Sequence, residues 1–388
     1  GPQTAAGAIN LISSIIPDSN QAIFKTDMGS FGSRKRHTKV GGSKETLKGT
    51  FGYLVEDLNL RSDGFKILDN GASTGFNKSD RLIKLRYSTP ASTSISQSIA
   101  VKLAVVDETS NETYLGLSDE DFILTPFRRY SASSEDVMTS RQTQFVITHK
   151  IALSKSIEFN TDFYSTTFDR NWYKLDRVID STGHVVKLGS ILDSPDSFSE
   201  TFSYLSGSST PEGAGLDVKA NNRNYFAQGI QHRGIFKFGR PFETTSNRII
   251  YGIRLHRDGV DRFQWRDRYS MDEGQMKLVT PGVHGTAGNK EEFATAIASY
   301  LRGTFHFRAF TFTPGIRHES INFESFDYGS SDLERIGNAE YSSNYVSVIL
   351  PGLGLNYNIS TLFDVFTGIH KGFIPPGSNP ETIPELSI

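Results

Sequence analysis

Apolar and polar residues alternate with a period of two along much of this chain, and no other feature of the sequence constrains the fold as strongly. The clearest case, residues 361–377, reads TLFDVFTGIHKGFIPPG. One face would consist of Phe363, Val365, Thr367 and Ile369, and the other would include Asp364 and His370. Successive side chains of a strand point to opposite faces of its sheet, so this period predicts a β-strand. The prolines that follow cannot donate to a sheet ladder, so the strand must end there.

The same alternation recurs in RLIKLRY, QSIAVKLAVV and QFVITHKIAL, which start at Arg81, Gln97 and Gln144. We predict about thirteen strands and no convincing helix. Short links, such as residues 154–156, alternate with long polar segments. The predicted long segments are residues 107–141, 179–224, 257–290 and 322–343, and a basic, glycine-rich connection covers residues 32–44.

Two all-β architectures match this alternation, a soluble β-sandwich and a transmembrane barrel. A sandwich has short connections at both ends of its strands. Outer-membrane barrels combine short turns at one end with long loops at the other, and their strands carry lipid-facing residues only at every second position. The chain has no apolar run near the ~18 residues that a spanning helix needs. The connection lengths therefore favour a transmembrane antiparallel β-barrel.

Composition argues against several functions. The formal net charge is −2, so no overall positive field marks the chain as a nucleic-acid binder. The chain has no cysteine, which rules out disulfides and thiolate metal sites. The acidic run at residues 119–121 lacks the spacing of an EF-hand, and no GxSxG nucleophile elbow occurs. We predict no enzyme activity, no catalytic residues, no metal site and no cofactor.

Three segments resemble parts of a known family, the TonB-dependent outer-membrane receptors. GPQTAAGAINLISSIIP, residues 1–17, resembles the end of their plug domain. SDGF at residues 62–65 and GFNKSDRLIKLRY at residues 75–87 resemble their first barrel hairpins, and FTGIHKGFIPPG at residues 366–377 is similar to a mid-barrel strand of the ferric dicitrate type.

The resemblance implies a domain organisation. Residues 1–17 would be the end of the plug domain, and residues 18–388 would be the N-terminal and middle part of the β-barrel with long extracellular loops. The chain would be a central fragment of a plugged barrel of about 22 strands. Most of the plug and the C-terminal strands would then be missing.

The resemblance also implies a function and partners. The protein would bind an anionic ferric chelate, ferric citrate or a siderophore, at its extracellular loops and transport it into the periplasm. The TonB–ExbB–ExbD energy system would act through the plug and a TonB box that this chain lacks. The location would be the bacterial cell outer membrane, with outer-membrane lipid around the barrel. Iron would enter only as the transported chelate.

Arginines concentrate in two of the long segments, where a planar guanidinium can grip the oxygens of an anionic chelate. The predicted ligand-binding residues are Arg128, Arg129, Tyr130, Arg141, Arg266 and Arg268. Near the second group, Asp258, Asp261 and Asp267 leave ordinary surface ion pairs as an equal alternative. The arginines next to Tyr130 have no acidic neighbour in sequence, so they are the better candidates.

Other functions stay open at this point. The protein could be a non-transporting outer-membrane receptor or adhesin, or a TonB-dependent transporter of another nutrient such as cobalamin or an oligosaccharide. A soluble all-β carbohydrate-binding module is a further alternative. A chain that is folded and soluble without detergent would contradict the barrel prediction.

Overall fold

A computed structural model of the chain describes residues 10–239, 247–337 and 339–375. Most of these residues lie in β-strands, since the alternating segments pair with their neighbours along the chain. The strands are β1 (Gln21–Met28), β2 (Arg34–Thr46), β3 (Gly49–Ser62), β4 (Ile67–Leu68), β5 (Phe76–Ser88), β6 (Ser96–Ser110), β7 (Arg128–Arg129), β8 (Val137–Ser154), β9 (Ile157–Ile179), β10 (Val185–Val186), β11 (Gly215–Phe238), β12 (Asn247–Asp272), β13 (Gln275–Thr280), β14 (Gly288–Phe307), β15 (Phe310–Asp327), β16 (Glu340–Ser360) and β17 (Phe363–His370).

One large antiparallel sheet contains nearly all of these strands. Its main path runs in chain order as β1-β2-β3-β5-β6-β8-β9-β11-β12-β14-β15-β16-β17, which is thirteen strands among the described residues. The short strands β10 and β13 pair with β9 and β12, and β4 pairs with β7 in a separate two-stranded sheet. The predicted all-β class and strand number are therefore confirmed.

The large sheet has one apolar and one polar face. Cross-strand partners such as Ile83 and Leu103, or Leu255 and Ile297, form continuous rows of exposed aliphatic side chains, and we term this side the apolar face. The register Leu353↔Ile369 adds Ile369 of β17 to it, as predicted. The other side, the polar face, carries charged and amide side chains such as Glu56, Lys84, Lys102, Gln144 and Asp162.

The two ends of the sheet differ in their connections. Two-residue turns join the strands at one end, which we term the turn end: residues 47–48, 155–156, 308–309 and 361–362. The long connections all lie at the opposite, loop end: residues 63–75, 111–136, 180–214 and 328–339. This arrangement confirms the predicted alternation of short and long connections.

Two predicted connections are in fact largely strand, and a third, residues 179–224, is strand mainly at its C-terminal end. Residues 34–46 form β2, which pairs with β3 along its whole length. Residues 257–272 continue β12, and residues 215–224 begin β11. These segments are polar on both faces at the loop end, so they lack the one-sided apolar pattern from which strands were predicted. The predicted turn at residues 239–247 falls mostly outside the described residues.

The prediction of no helix is wrong, because the long connections contain short helices. These are α1 (Asp119–Leu124), α2 (Leu188–Asp193) and α3 (Ser199–Ser206). The side chain of Ser118 caps α1 by accepting from the backbone N–H of Asp121. The acidic run 119–121 occupies the first turn of α1, where the helix dipole favours carboxylates. No helix in the described part of the chain is long and apolar enough to cross a membrane.

The long connections fold onto the loop ends of β9, β11 and β12 and bury a small hydrophobic cluster there. We term it the loop core: Leu115, Tyr130, Ala132, Leu175, Val178, Ile191, Tyr204, Leu205, Ala214, Leu216, Val218, Tyr269 and Met271. A buried aliphatic side chain contributes about 1.5–3 kcal/mol. The loop core therefore holds these connections in a fixed arrangement.

The segment before β1 lies along the polar face without forming a strand. Lys84 donates to the carbonyl of Ser14 at 2.6 Å, and Ser43 donates to the carbonyl of Pro17 at 2.7 Å. Ile16 is buried against Leu54. Residues 1–9 of the predicted plug segment lie outside the described residues.

Candidate anion-binding site

Three neighbouring strands carry cations at matching positions near the loop end. Side chains alternate between the two faces along each strand. In β9, Arg170 and Lys174 therefore lie on the same polar face as Asp162. The pairing register puts Arg223 of β11 between Arg170 and Arg262, and Lys219 between Lys174 and Arg266. We term these two sets of three the cationic rows. Like charges directly opposite each other destabilise a sheet, so this arrangement calls for an anion to balance it.

Two of the six cations have carboxylate partners. Arg262 pairs with Glu292 at 2.7 Å, and Arg266 pairs with Asp176 at 2.6 Å. Among the described residues, none of the other four has a carboxylate within 4.0 Å. The cationic rows therefore carry a surplus of positive charge.

Aromatic rings lie between and beside the cationic rows. Trp172 of β9 is opposite Asn221 and separates Arg170 from Lys174. The Lys174 ammonium lies 4.0 Å from the centroid of the Trp172 ring and 3.1 Å from that of Tyr114. The two rings meet edge to face at 5.1 Å. These contacts hold the ammonium by cation–π attraction and leave its charge uncompensated.

Several hydrogen-bond donors at the cationic rows are free. In the part of the chain that the structure describes, Arg170 Nε, Arg262 Nε and Trp172 Nε1 are buried without a hydrogen-bond partner. Buried donors normally find partners, so these three leave the cationic rows short of hydrogen-bond acceptors. Arg223, by contrast, is held in place because its Nε donates to Asn221 Oδ1 at 3.0 Å.

The ammonium group of Lys219 is repelled by the neighbouring cations of the two rows. Burial lowers the pKa of its ammonium, and the positive charges of Arg266, Arg223 and Lys174 lower it further, against the opposing effect of Asp176. An anion bound between the rows would relieve this repulsion. The arrangement is therefore suited to an anionic ligand with several acceptor oxygens.

The predicted residues Arg128, Arg129 and Tyr130 lie elsewhere, in the connection between β6 and β8. Arg128 is held by two carboxylates, Asp69 at 2.9 Å and Asp121 at 2.8 Å. The hydrogen bond to Asp69 is the largest cause of the raised pKa of Arg128. Asp69 comes from a different connection, and Asp121 lies seven residues before Arg128 in the same one.

Arg129 and Tyr130 serve the same connection. Arg129 donates to the carbonyl of Pro126 at 2.9 Å, and burial lowers its pKa. Tyr130 is 1% exposed within the loop core and donates to Asp121 Oδ2 at 2.6 Å. Burial raises the pKa of its hydroxyl, and the hydrogen bond to Asp121 raises it further. Their contact with a ligand stays a prediction.

Arg141, Arg266 and Arg268 are strand residues, contrary to their predicted place in loops. Arg141 belongs to β8 and projects on the apolar side, 3.7 Å from Asp107. Arg266 and Arg268 belong to β12 and project on the polar side. Arg268 pairs with Asp217 at 2.8 Å, which Arg177 also contacts at 2.8 Å. The six predicted residues therefore do not converge on one site.

Most residues of the cationic rows were not predicted from the sequence. Arg170, Trp172 and Lys174 alternate along β9, and Lys219 and Arg223 alternate along β11. This period of two was a usable signal that the strands continue past their apolar parts. The pairing register between the strands gave no signal in the sequence.

No group of three or more candidate metal ligands occurs among the described residues. Several strand histidines have hydrogen-bond partners instead. His256, for example, lies 2.7 Å from Tyr164 Oη and 2.8 Å from Asp258 Oδ2.

Comparison with known proteins identifies the class. The family model described as "TonB dependent receptor-like, beta-barrel" matches residues 107–384, and the chain belongs to this family. Its members are proteins of the bacterial outer membrane, which places this chain there. The apolar face is therefore the lipid-facing side of the sheet, and the polar face is the lumen side. No curated protein matches the chain.

Solved structures show the same fold. The ferric citrate transporter FecA in its unliganded form has a TM-score of 0.67 at 16% identity, over 97% of this chain and 48% of that one. The siderophore receptor PiuA from Acinetobacter baumannii has a TM-score of 0.68 at 13% identity, over 99% and 55%. The pyoverdine receptor FpvA from Pseudomonas aeruginosa, bound to pyoverdine, has a TM-score of 0.61 at 10% identity, over 97% and 50%. The chain thus spans about half the length of these structures.

Proposed function

We propose that the protein is a TonB-dependent receptor that binds an anionic ferric chelate and transports it into the periplasm. The single observation that carries the proposal is the pair of cationic rows on the lumen side near the loop end. A ferric complex of citrate or of a siderophore presents several negatively charged oxygens, which arginine and lysine bind by charge-assisted hydrogen bonds. The named ligands of the similar structures, ferric citrate and pyoverdine, support this substrate class.

The proposed ligand contacts are Arg170, Lys174, Lys219 and Arg223, with Trp172 as a stacking surface. Of the six residues predicted from the sequence, Arg266 belongs to the cationic rows and Arg268 lies beside them on the same strand. We propose that Arg128, Arg129 and Tyr130 hold the connections at the loop end in place and do not bind the chelate. The contact of Arg141 with the chelate stays a prediction.

The energy source and the plug are part of the same proposal. The TonB–ExbB–ExbD system would act on a plug whose end is residues 1–17. The position of residues 13–17 along the lumen side supports this assignment, since the plug of such a barrel lies in its lumen. No cofactor is proposed, because iron would travel within its chelate.

The test is a charge-neutralising double variant, Lys219→Gln with Arg223→Gln, in the whole receptor. Binding of the true ligand class, ferric citrate or a ferric catecholate siderophore, should weaken by about 3–6 kcal/mol, since each of the two lost charge-assisted hydrogen bonds contributes ~1.5–3 kcal/mol. The matched control is Lys48→Gln with Lys155→Gln, which removes two exposed charges from turns at the other end. Unchanged affinity for every ferric chelate would contradict the proposed site.

Transport needs a separate measurement. Cells that express the receptor should accumulate labelled ferric chelate, and cells without it should not. Equal accumulation in the two strains would favour a non-transporting receptor or adhesin. Uptake of cobalamin or an oligosaccharide in place of the chelate would assign another nutrient.

A further inference from the structure

The lipid-facing side of β14, β15 and β16 carries a group of neighbouring polar residues. We term it the lipid-side polar patch: Ser299, His318, Ser320 and Ser347. Ser299 lies directly opposite His318, and Ser320 lies directly opposite Ser347. Exposed isoleucines occupy neighbouring positions of the same face: Ile297, Ile316 and Ile349. The patch therefore faces lipid and is surrounded by aliphatic side chains.

The patch lies midway between two groups of aromatic rings. Near the turn end, one group contains Phe310, Phe312 and Tyr357. Near the loop end, the other contains Phe293, Phe326 and Tyr341. Along β15, His318 is six residues from Phe312, and Ser320 is six residues from Phe326. Aromatic girdles mark the two membrane interfaces of a barrel, so the patch lies near the middle of the hydrocarbon layer.

The hydrogen bonds within the patch leave two polar groups without a partner. His318 Nε2 lies 2.9 Å from Ser347 Oγ, and Ser320 Oγ lies 3.0 Å from Tyr345 Oη. Within the described part of the chain, neither Ser299 Oγ nor His318 Nδ1 has a hydrogen-bond partner. Acyl chains cannot supply one, so these two groups require a partner from another protein surface.

A second histidine on the lipid-facing side has a different environment. His232 of β11 lies 2.8 Å from Thr161 Oγ1 and 3.0 Å from Tyr251 Oη. The rings of Phe159 and Phe236 lie beside this group, close to the turn end. Polar groups at the membrane interface can reach water and headgroups. The lipid-side polar patch differs from this pair in its depth in the membrane.

The chemistry of the patch suits a second copy of the same chain. Two receptors in one membrane share an orientation, so a two-fold axis along the membrane normal places residues of equal depth opposite each other. Hydroxyl groups and a neutral imidazole each donate and accept hydrogen bonds, so such a patch can pair with itself. None of its members is a carboxylate, a lysine or an arginine, so no repulsion between fixed charges opposes this pairing.

We propose that the lipid-side polar patch is the contact between two copies of the receptor, related by a two-fold axis along the membrane normal. Ser299 Oγ and His318 Nδ1 would gain partners from the hydroxyl groups of the other copy, and the isoleucines would pack around them. This interface is separate from the chelate site, because the cationic rows lie on the opposite face of the sheet.

Cross-linking in the membrane tests the contact directly. The chain has no cysteine, so an introduced thiol reports on its own surroundings. Ser320→Cys and Ser347→Cys are made singly in the whole receptor, and outer membranes are oxidised with copper phenanthroline. At least one variant should form a disulfide-linked dimer above the wild-type background. Leu103→Cys, an exposed lipid-facing position on β6, is the matched control and should stay monomeric.

Three results of the cross-linking would overturn the proposal. The first is the absence of a dimer with both serine variants. The second is an equal yield from Leu103→Cys, which would indicate random collisions. The third is a cross-linked band that contains a different protein, which would assign the patch to another partner.

Association is measured by energy transfer between labelled receptors in liposomes of increasing protein density. His318→Leu with Ser347→Ala should raise the dimer dissociation constant at least tenfold, because it removes hydrogen-bonding groups from the contact. This variant should stay folded, since apolar side chains are favourable next to acyl chains. The control His232→Leu with Thr161→Val removes a similar pair near the turn end and should associate like the wild type.

Equal association of the His318/Ser347 variant and the wild type would overturn the interface, as would a wild type that stays monomeric at every density. Chelate affinity of the His318/Ser347 variant should equal that of the wild type. The proposed receptor function and the proposed interface can therefore fail independently of each other.

Discussion

At the scale of single residues, Arg128 shows how a guanidinium predicted to bind ligand can instead fix a connection. It joins Asp69 and Asp121, which belong to two different connections at the loop end. All three side chains are partly exposed, so solvent screening limits the contribution of these pairs to about 1–2 kcal/mol. Arg128→Gln should therefore increase proteolysis of the connection at residues 111–136 and leave chelate affinity unchanged.

Lys237→Gln is a suitable control for Arg128→Gln, since it removes an ion pair with Glu158 far from the loop end. Weaker chelate binding by Arg128→Gln with unchanged proteolysis would restore Arg128 as a ligand contact. Limited chymotrypsin digestion, which cleaves after aromatic residues of the connection and not after Arg128, and a direct binding assay distinguish the two outcomes.

Asp136 is a second residue of interest, because burial changes the pKa of its carboxyl group. It is 2% exposed, and its oxygens accept the backbone N–H groups of Leu175 at 2.8 Å and Tyr114 at 3.2 Å. Burial raises its pKa to about 7. A raised carboxyl pKa means that the folded state keeps a proton that the unfolded state releases above pH ~4. The loop core should therefore lose stability as pH rises from about 4 to 7, by up to ~4 kcal/mol.

Amide hydrogen exchange in the loop core, corrected for the intrinsic pH effect, measures this loss. Asp136→Asn should remove the pH dependence, because an amide does not titrate. It should also weaken the loop core at low pH, because one of the two N–H groups loses its acceptor. Glu212→Gln, an exposed change in the neighbouring connection, should keep the wild-type profile. Loop-core stability that does not change with pH in the wild type would refute the raised pKa of Asp136.

At the scale of strands, the cationic rows lower the stability of the sheet formed by β9, β11 and β12, because they place like charges on neighbouring strands. Lys219 faces Lys174 on one side and Arg266 on the other, and each like-charge contact costs roughly 0.2–1 kcal/mol. Lys219→Thr should therefore stabilise the loop end of β11 by about 1 kcal/mol while it weakens chelate binding. Slower amide exchange near residue 219 at low salt, converging with the wild type at high salt, would show this.

A matched change in the same strand should act in the opposite direction. Lys237→Thr removes an attraction to Glu158 and should slightly destabilise the turn end of β11. Destabilisation of β11 by Lys219→Thr would show that the cationic rows are not under electrostatic strain.

The strands also show what the sequence could and could not predict. Where one face meets lipid, as at Ile83 or Leu255, the period of two revealed the strand and its hairpin. Where both faces are polar, as in β2 and the loop end of β12, the same period carried no apolar signal and the strand was assigned to a loop. The cationic rows were missed for a further reason. Arg170, Arg223 and Arg262 come together only through the pairing register, which depends on every turn between them.

At the scale of the whole molecule, the sheet has lipid on its apolar face and the lumen on its polar face. The same substitution should cost much more stability on the lipid side than on the lumen side. Leu255 is a lipid-facing residue in the middle of β12, and Gln231 is a lumen-facing residue of β11 whose amide donates to Asp162 at 3.0 Å. Leu255→Arg should destabilise the membrane-inserted receptor by about 2–4 kcal/mol, because it places a charge among acyl chains.

Gln231→Arg should cost little, since the new guanidinium can pair with Asp162 in the lumen. Urea titration of the receptor in lipid bilayers, followed by the fluorescence of Trp172 and Trp265, gives both free energies of unfolding. The difference between their free energies of unfolding reports the effect of the two environments, because both variants add one arginine and the two strands are neighbours. Equal destabilisation by Leu255→Arg and Gln231→Arg would mean that the aliphatic rows do not face lipid, and the assignment of the two faces would be wrong.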